Sequence, residues 1–289
     1  MKAVSIILLY FIATVLSHDH HDDSSSPARG CGYRAPDVAA MEDMAHRDER
    51  RLEKSTSPRG LFRCDACGSG SRFRTIDTYI HVIQMMNRTG HLPDAAIEEN
   101  IKVTNELLWS TGFQLKVVST NRITNDVWYI SDWDSDEEMD IKRQLKQGGL
   151  DTLNIYYKAA FVDGDRVCGY ANLAEDAVYW PEDDGVVVDT LCATNKTILA
   201  HEFGHWMNLL HTFDGGCSPG DLVDDTNGQA MPMKYLSEEC PDPLPDTCPD
   251  AGFDPLDNIM DYAPNGCGDI FTPGQVQRMH DAWRKIRRA

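Results

Sequence analysis

Basic residues are the scarce class in this sequence: 27 lysines and arginines stand against 46 aspartates and glutamates, a formal charge of −19 over 289 residues. Nucleic acids and anionic membrane surfaces are polyanions, so this balance argues against both as partners. It leaves cations, metal ions and basic substrates. Long apolar runs are missing beyond residue 16, and nothing later approaches the roughly 20 apolar residues of a membrane span. Internal repeats and low-complexity tracts are absent as well. The chain is nonetheless 42% apolar and 25% charged, an ordinary globular balance. It is long enough to bury a core in one large domain or two modest ones. Cysteine is not scarce. There are nine, an odd number, so at least one thiol is unpaired or has another task.

The amino terminus indicates the compartment. Met1-Lys2 precedes an uncharged apolar run, Ala3 to Leu16, and then the polar stretch His18-Asp19-His20-His21. A basic start, a short apolar region and small residues at its end read as a signal peptide over residues 1–17. The expected location is therefore secreted and extracellular, where disulfides persist. Asn87-Arg88-Thr89 and Asn195-Lys196-Thr197 fit the glycosylation sequon at Asn87 and Asn195. Residues 18 to about 74 hold few apolar clusters. They carry Arg47, Arg50, Arg51 and Lys54, then a Gly/Ser-rich stretch with Cys64 and Cys67, the pattern of a protease-sensitive linker.

Periodicity after that point predicts a mixed α/β half. Strands are expected at 76–86, Phe113–Ser119, Asp126–Ile130, Thr152–Tyr157 and Gly185–Asp189. Helices are expected at 93–110, from a Ser135/Glu138 capping box to about Gln147, and from Gln275 to Arg288. Residues 212–272 read as turn-rich. His81, inside the first strand, is expected to be a hydrogen-bonded sheet residue rather than a ligand.

The chemistry is concentrated in Ile198-Leu199-Ala200-His201-Glu202-Phe203-Gly204-His205-Trp206-Met207-Asn208-Leu209-Leu210-His211. On a helix, His201 and His205 are one turn apart on one face, so two imidazoles can bind one zinc ion. Glu202 lies beside that face, within reach of a water on the metal as general base. His211 is too far along to share the face unless the chain turns after Asn208. Such a turn uses a left-handed residue, usually glycine, and asparagine is the next-best choice. Three neutral histidines with one open position make a catalytic zinc site rather than a closed structural one. Downstream, Asn258-Ile259-Met260-Asp261-Tyr262 fits a methionine turn, an apolar floor beneath such ligands. Tyr262 either offers its hydroxyl to an oxyanion or makes a structural hydrogen bond.

Together these motifs resemble the metzincin zinc peptidases, and within them the pappalysin-like (cytophagalysin) group of secreted bacterial and fungal metalloproteases. The resemblance runs over about residues 76–285 and includes Leu209 to Cys217, Asp225-Thr226, Asp246-Thr247-Cys248-Pro249, Asn258 to Tyr262 and Phe271 to Gln275. Asn208 departs from the usual glycine. The resemblance implies an α+β catalytic domain: a mixed twisted sheet and active-site helix above, an irregular disulfide-stapled lower half, and a C-terminal helix. It implies a substrate-binding edge strand at Gly169-Tyr170-Ala171. The implied activity is zinc-dependent hydrolysis of peptide bonds in proteins, with Glu202 as base and Tyr262 at the developing oxyanion. Division of the chain follows: signal peptide 1–17, propeptide 18–63 with its boundary within 50–74, catalytic domain 64–289. An activating protease is then a partner, beside protein or peptide substrates. The rival reading is a catalytically silent metzincin-fold binding protein, which the intact Glu202 and histidines disfavour.

Four cysteines, Cys217, Cys240, Cys248 and Cys267, lie in the turn-rich part and allow three pairings. The resemblance favours Cys217–Cys248 and Cys240–Cys267. Cys168–Cys192 is a further candidate pair, and Cys64 and Cys67 are close enough in sequence to bond to each other. Cys31 remains, flanked by Arg29 and Arg34, which favour a thiolate. It either caps the zinc in a latent form, like the cysteine switch of metzincin zymogens, or pairs with Cys64 or Cys67. From Thr212 to Tyr262, twelve acidic side chains face the single base Lys234, a local charge of −11. Asp221, Asp225 and Thr226 have oxygen-ligand character and family counterparts that bind calcium; the alternative is a solubilising surface.

Overall fold

The computed structural model describes residues 28–31, 40–41, 73–233, 239–249, 252–264 and 267–288. The signal peptide, the histidines at 18, 20 and 21, Cys64 and Cys67, and nearly all of the linker lie outside these residues.

The chain forms β1 (Ala28–Cys31), β2 (Arg74–Gln84), α1 (Asp94–Leu107), β3 (Phe113–Thr124), α2 (Asp126–Tyr129), α3 (Asp136–Leu145), β4 (Leu153–Lys158), β5 (Ala160–Val162), β6 (Asp165–Ala171), α4 (Asp176–Tyr179), β7 (Val186–Asp189), α5 (Ile198–Trp206) and α6 (Pro273–Ala282). One seven-stranded mixed sheet has the order β1-β6-β7-β4-β2-β3, with β5 hairpinned onto β6. β3, β2, β4 and β7 run parallel to one another, whereas β6 runs antiparallel to β7. This is the expected α+β arrangement. The central strand β4 is buried along its whole length, as a strand covered on both faces must be.

On one face lies the main core, where Ile80, Val82, Ile155 and Val188 from the sheet meet Leu199, Phe203 and Trp206 of α5 and Met279 and Trp283 of the C-terminal segment. α5 is apolar nearly all round and every one of its nine residues is buried, as expected of a helix threaded through a core. On the other face, Ile141, Tyr156 and Tyr170 form a smaller cluster under α3. Here Lys142 bonds Glu138 and Asp183, and the Tyr170 hydroxyl donates to Glu138. His81 takes the sheet role expected of it, bonded through Nε2 to Asn154 Oδ1 at 3.1 Å.

Three expectations are corrected. Asp126–Ile130 is not a strand. β3 continues to Thr124 in register with Gln84, and the Asn125 side chain then accepts from Val127 N and Trp128 N, turning the chain into α2. Val127 and Ile130 face solvent, while Tyr129 of the same turn is buried in the smaller cluster. The helix expected at 93–110 gives way after Leu107 to a 3₁₀ turn, Leu108–Thr111, closed by left-handed Gly112. The Ser135 box is half formed: Ser135 Oγ accepts from Glu138 N, but the Glu138 carboxylate takes Asp134 N instead of Ser135 N.

Below α5 the chain has no α-helix and no strand among the described residues until α6, only a bridge between Asn258 and Ile270. Disulfides Cys217–Cys248 and Cys240–Cys267 tie this stretch, and Cys168–Cys192 joins β6 to the loop before α5. All three expected pairs form. A complete capping box, Thr272 with Gln275, starts α6. At the other end of this segment Arg287 donates to the Trp206 carbonyl and pairs with Asp184, fastening the chain terminus to the end of α5. No helix among the described residues is long and apolar enough to cross a membrane. Asn87 is exposed in a turn, and Asn195 is half-buried with its side chain bonded to Thr197.

Candidate active site

The site begins with the way α5 ends. Asn208 N donates to His205 O and Leu209 N to Gly204 O, with Asn208 at φ +73°. These are the two bonds of a Schellman stop, with asparagine at the left-handed position usually held by glycine. The side chain adds what glycine lacks: Asn208 Oδ1 accepts from Glu175 N at 3.2 Å and Nδ2 donates to the Glu175 carboxylate. The turn is thereby bonded to the loop leaving β6, and Leu209-Leu210 leads His211 back to the other two histidines.

Potential ligand atoms of His201, His205 and His211, all buried, lie within 4.8 Å of one another, the one metal-binding constellation of its kind among the described residues. Each Nδ1 faces an acceptor: Ile259 O at 2.7 Å for His201, Leu209 O at 2.8 Å for His205, and Asp214 Oδ2 at 3.2 Å for His211. A carbonyl oxygen only accepts, so Nδ1 carries the proton in His201 and His205. Their Nε2 lone pairs then point inward. His205 Nε2 and His211 Nε2 are 3.1 Å apart, and His201 Nε2 is buried with no hydrogen-bond partner. Converging lone pairs without a proton between them repel unless a cation sits among them, so the donor set fits a metal ion. Burial pushes His201 down to about 3 and His205 well below the usual imidazole range, with the neighbouring histidines adding to the effect. Both are held neutral, as ligands must be.

Asp214 lies in the Leu209–Cys217 stretch and among the twelve acids, with no role of its own expected from the sequence. Its Oδ2 also accepts from His211 N at 2.8 Å, so one carboxylate oxygen holds both the ring and the backbone of the third histidine. A carboxylate three residues after a ligating histidine is the signal that would have found it.

Met260 is fully buried directly beneath α5. A Cβ on Gly204 would collide with the Met260 sulfur, so the motif needs glycine there. The Ile259 carbonyl that holds His201 belongs to the same turn. Tyr262 is half-buried rather than buried. Its ring packs edge-on against His211 at 4.7 Å between centroids and against Phe213 at 4.9 Å. Glu202 is buried, and its carboxylate lies against Gly169 of β6, where a Cβ would come within 2.8 Å of Oε1. The glutamate expected to act as general base and the strand expected to bind substrate are thus in contact.

Asp225 and Asp221 differ in their surroundings. Asp225 accepts from Thr272 Oγ1 and Gly274 N, anchoring the start of α6. Asp221 is buried, with Oδ1 on Val223 N, and burial pushes its carboxyl up to about 7 despite the nearby Thr226 hydroxyl.

A family model described as Pregnancy-associated plasma protein-A, of the M43 peptidases, matches residues 153–284. An extracellular metalloprotease of Verticillium alfalfae is 32% identical over 280 residues, 90% of this chain and 92% of its own. The chain belongs to the pappalysin family of metallopeptidases. Mature mirolysin of Tannerella forsythia, solved with a cleaved peptide, is 25% identical to this pappalysin-family peptidase, with a TM-score of 0.58 over 74% of this chain and 92% of that one. A promirolysin mutant from the same organism is 22% identical, with a TM-score of 0.63 over 87% and 92%. This member of the family is a metalloendopeptidase; the family implies a catalytic metal, and a buried histidine triad that could hold one is present.

Proposed function

We propose that the protein is a secreted zinc endopeptidase made as a latent precursor, with Glu202 as general base. The observation that carries the reading is the set of three inward Nε2 atoms, next to a buried glutamate that touches the edge strand. Zinc held there supplies Lewis acidity to water and to the scissile carbonyl. The protein does the rest. Its main-chain carbonyls and Asp214 fix the imidazoles, and β6 offers a strand edge along which an extended polypeptide lies against Glu202. Glu202 takes the proton of the attacking water and passes it to the leaving amine. Tyr262, on the rim of the His211 ring, is the donor for the developing oxyanion.

Latency draws support from β1, which pairs in parallel with β6 and sets Cys31 opposite Gly169, the residue that touches Glu202. A segment that covers the edge strand blocks substrate, and a thiolate at that register is the candidate fourth ligand. Cleavage within 50–74 would separate the two parts. Calcium, if bound, belongs at Asp221 and Thr226 more than at Asp225, because Asp221 Oδ2 and Thr226 Oγ1 are buried without a well-formed hydrogen bond. Sugars on Asn87 and Asn195 fit the same secretory route.

Chelation tests the reading. Casein hydrolysis by the processed protein should vanish with a zinc chelator and return with added zinc. Hydrolysis that persists at zero bound metal would overturn it.

A further inference from the structure

Two stretches ahead of residue 73 are described, and both touch the elements that carry the site. One is β1 along β6. The other is Met41, 1% exposed, which packs with Leu173 and Leu210 and has the half-buried Leu222 against them. The walls of this pocket come from three places. Leu173 lies two residues beyond Ala171, on the chain leaving the edge strand. Leu210 directly precedes His211. Leu222 belongs to the loop that follows, and the Gly215 backbone closes that side, where a Cβ would meet the Met41 methyl at 2.9 Å. Because β1 runs parallel to β6, its Cys31 end is the one nearer the Ala171 end of β6, beyond which Leu173 lies. The leading segment therefore makes two separate attachments to the cleft elements, one through backbone and one through an apolar side chain.

Leu173 and Leu210 are themselves almost completely buried, with Met41 among their few apolar neighbours. Once the leading segment is gone, two leucines next to the metal turn lose that cover. An uncovered apolar pocket on the walls of a peptide-binding cleft takes an apolar side chain. We propose that the pocket of Leu173, Leu210 and Leu222 is a specificity subsite, filled by Met41 in the full chain and by an aliphatic or thioether side chain of the polypeptide substrate in the processed enzyme. This rests on the latency reading above. Burying a methionine or leucine side chain is worth about one to two powers of ten in a binding constant, enough to decide both closure and selectivity.

The test uses the full, unprocessed chain as wild type, Met41→Leu and Met41→Asp, each checked for zinc content and thermal midpoint. Hydrolysis of a quenched peptide library is read before and after processing. Expected are a latent wild type, a latent Met41→Leu, and at least a tenfold gain for unprocessed Met41→Asp. If Met41→Asp does not fold, Met41→Ala is read on the same scale. A wild type as active before processing as after it would overturn latency itself. A latent wild type with an equally latent Met41→Asp would leave latency standing and overturn the role of Met41. After processing, the wild type should prefer Met or Leu over Asp by about tenfold at one substrate position, and Leu222→Trp should abolish that preference. No preference, or one unchanged in Leu222→Trp, would overturn the subsite.

Discussion

Asp214 shows how much one side chain does at the histidine triad. By accepting from both His211 N and Nδ1, it fixes the ring of the histidine that is farthest from the helix and so least constrained by it. His201 and His205 get the same service from backbone carbonyls, which no substitution removes. Replacing Asp214 with Ala should therefore weaken zinc binding about 10- to 100-fold, measured by competition with a chromogenic chelator. Asn should recover part of the loss by accepting one of the two bonds. An Asp214→Ala protein with wild-type zinc affinity would remove Asp214 from the site. Asn208 makes the related point that a residue tolerated for its φ of +73° also bonds Glu175 through its side chain.

Elements of this fold are held at their ends. α5 stops in a Schellman turn, its last carbonyl accepts from Arg287, and Arg287 also pairs with Asp184 in a fully buried site. Replacing Arg287 with Ala leaves Asp184 buried without its cation, which should cost about 3–5 kcal/mol of unfolding free energy, measured by urea titration. A loss below 1 kcal/mol would contradict this. At this scale the sequence was legible where information is local. The motif from His201 to His211 places its ligands within eleven residues, and the family resemblance located Met260 and the lower disulfides. It was least legible where partners are distant. Nothing near Arg287 announces Trp206 or Asp184, and nothing near Gly204 announces Met260. Asp126–Ile130 misled because a β-like composition fell where Asn125 caps a helical turn. The box at Thr272 and Gln275, with proline following, was a readable local signal that the expected helix start at Gln275 passed over.

Across the whole molecule, the two faces of the sheet do different work. The α5 face carries the histidine triad, and the opposite face buries the Lys142, Glu138 and Asp183 cluster together with Lys158. Lys158 is the clearest case. It donates to the carbonyls of Ser131 and Ala159, both at 2.7 Å, and burial brings its amine down from 10.5 to about 8. Below pH 8 the lysine is charged in both folded and unfolded chains. Between pH 8 and about 10.5 the unfolded chain holds the proton that the folded one has released, so this residue makes stability rise with pH. The slope is at most about 1.4 kcal/mol per pH unit. Relative to the wild type, Lys158→Met should lack that component when urea unfolding is compared at pH 8 and pH 10. Parallel pH profiles for the two proteins would refute the shift. Residues 212–262, which follow His211 in the chain, gather more than half of the −19. The charge deficit thus sits where it attracts cations and basic peptides.

In the proposed zinc-assisted hydrolysis, Glu202 moves the proton. The most direct measurement is a paired one on processed Glu202→Gln: zinc per chain, and peptide hydrolysis under conditions where the wild type is readily followed. The variant should hold one zinc per chain, as the wild type does, with hydrolysis reduced by at least a thousandfold. Full hydrolysis with zinc retained would contradict it.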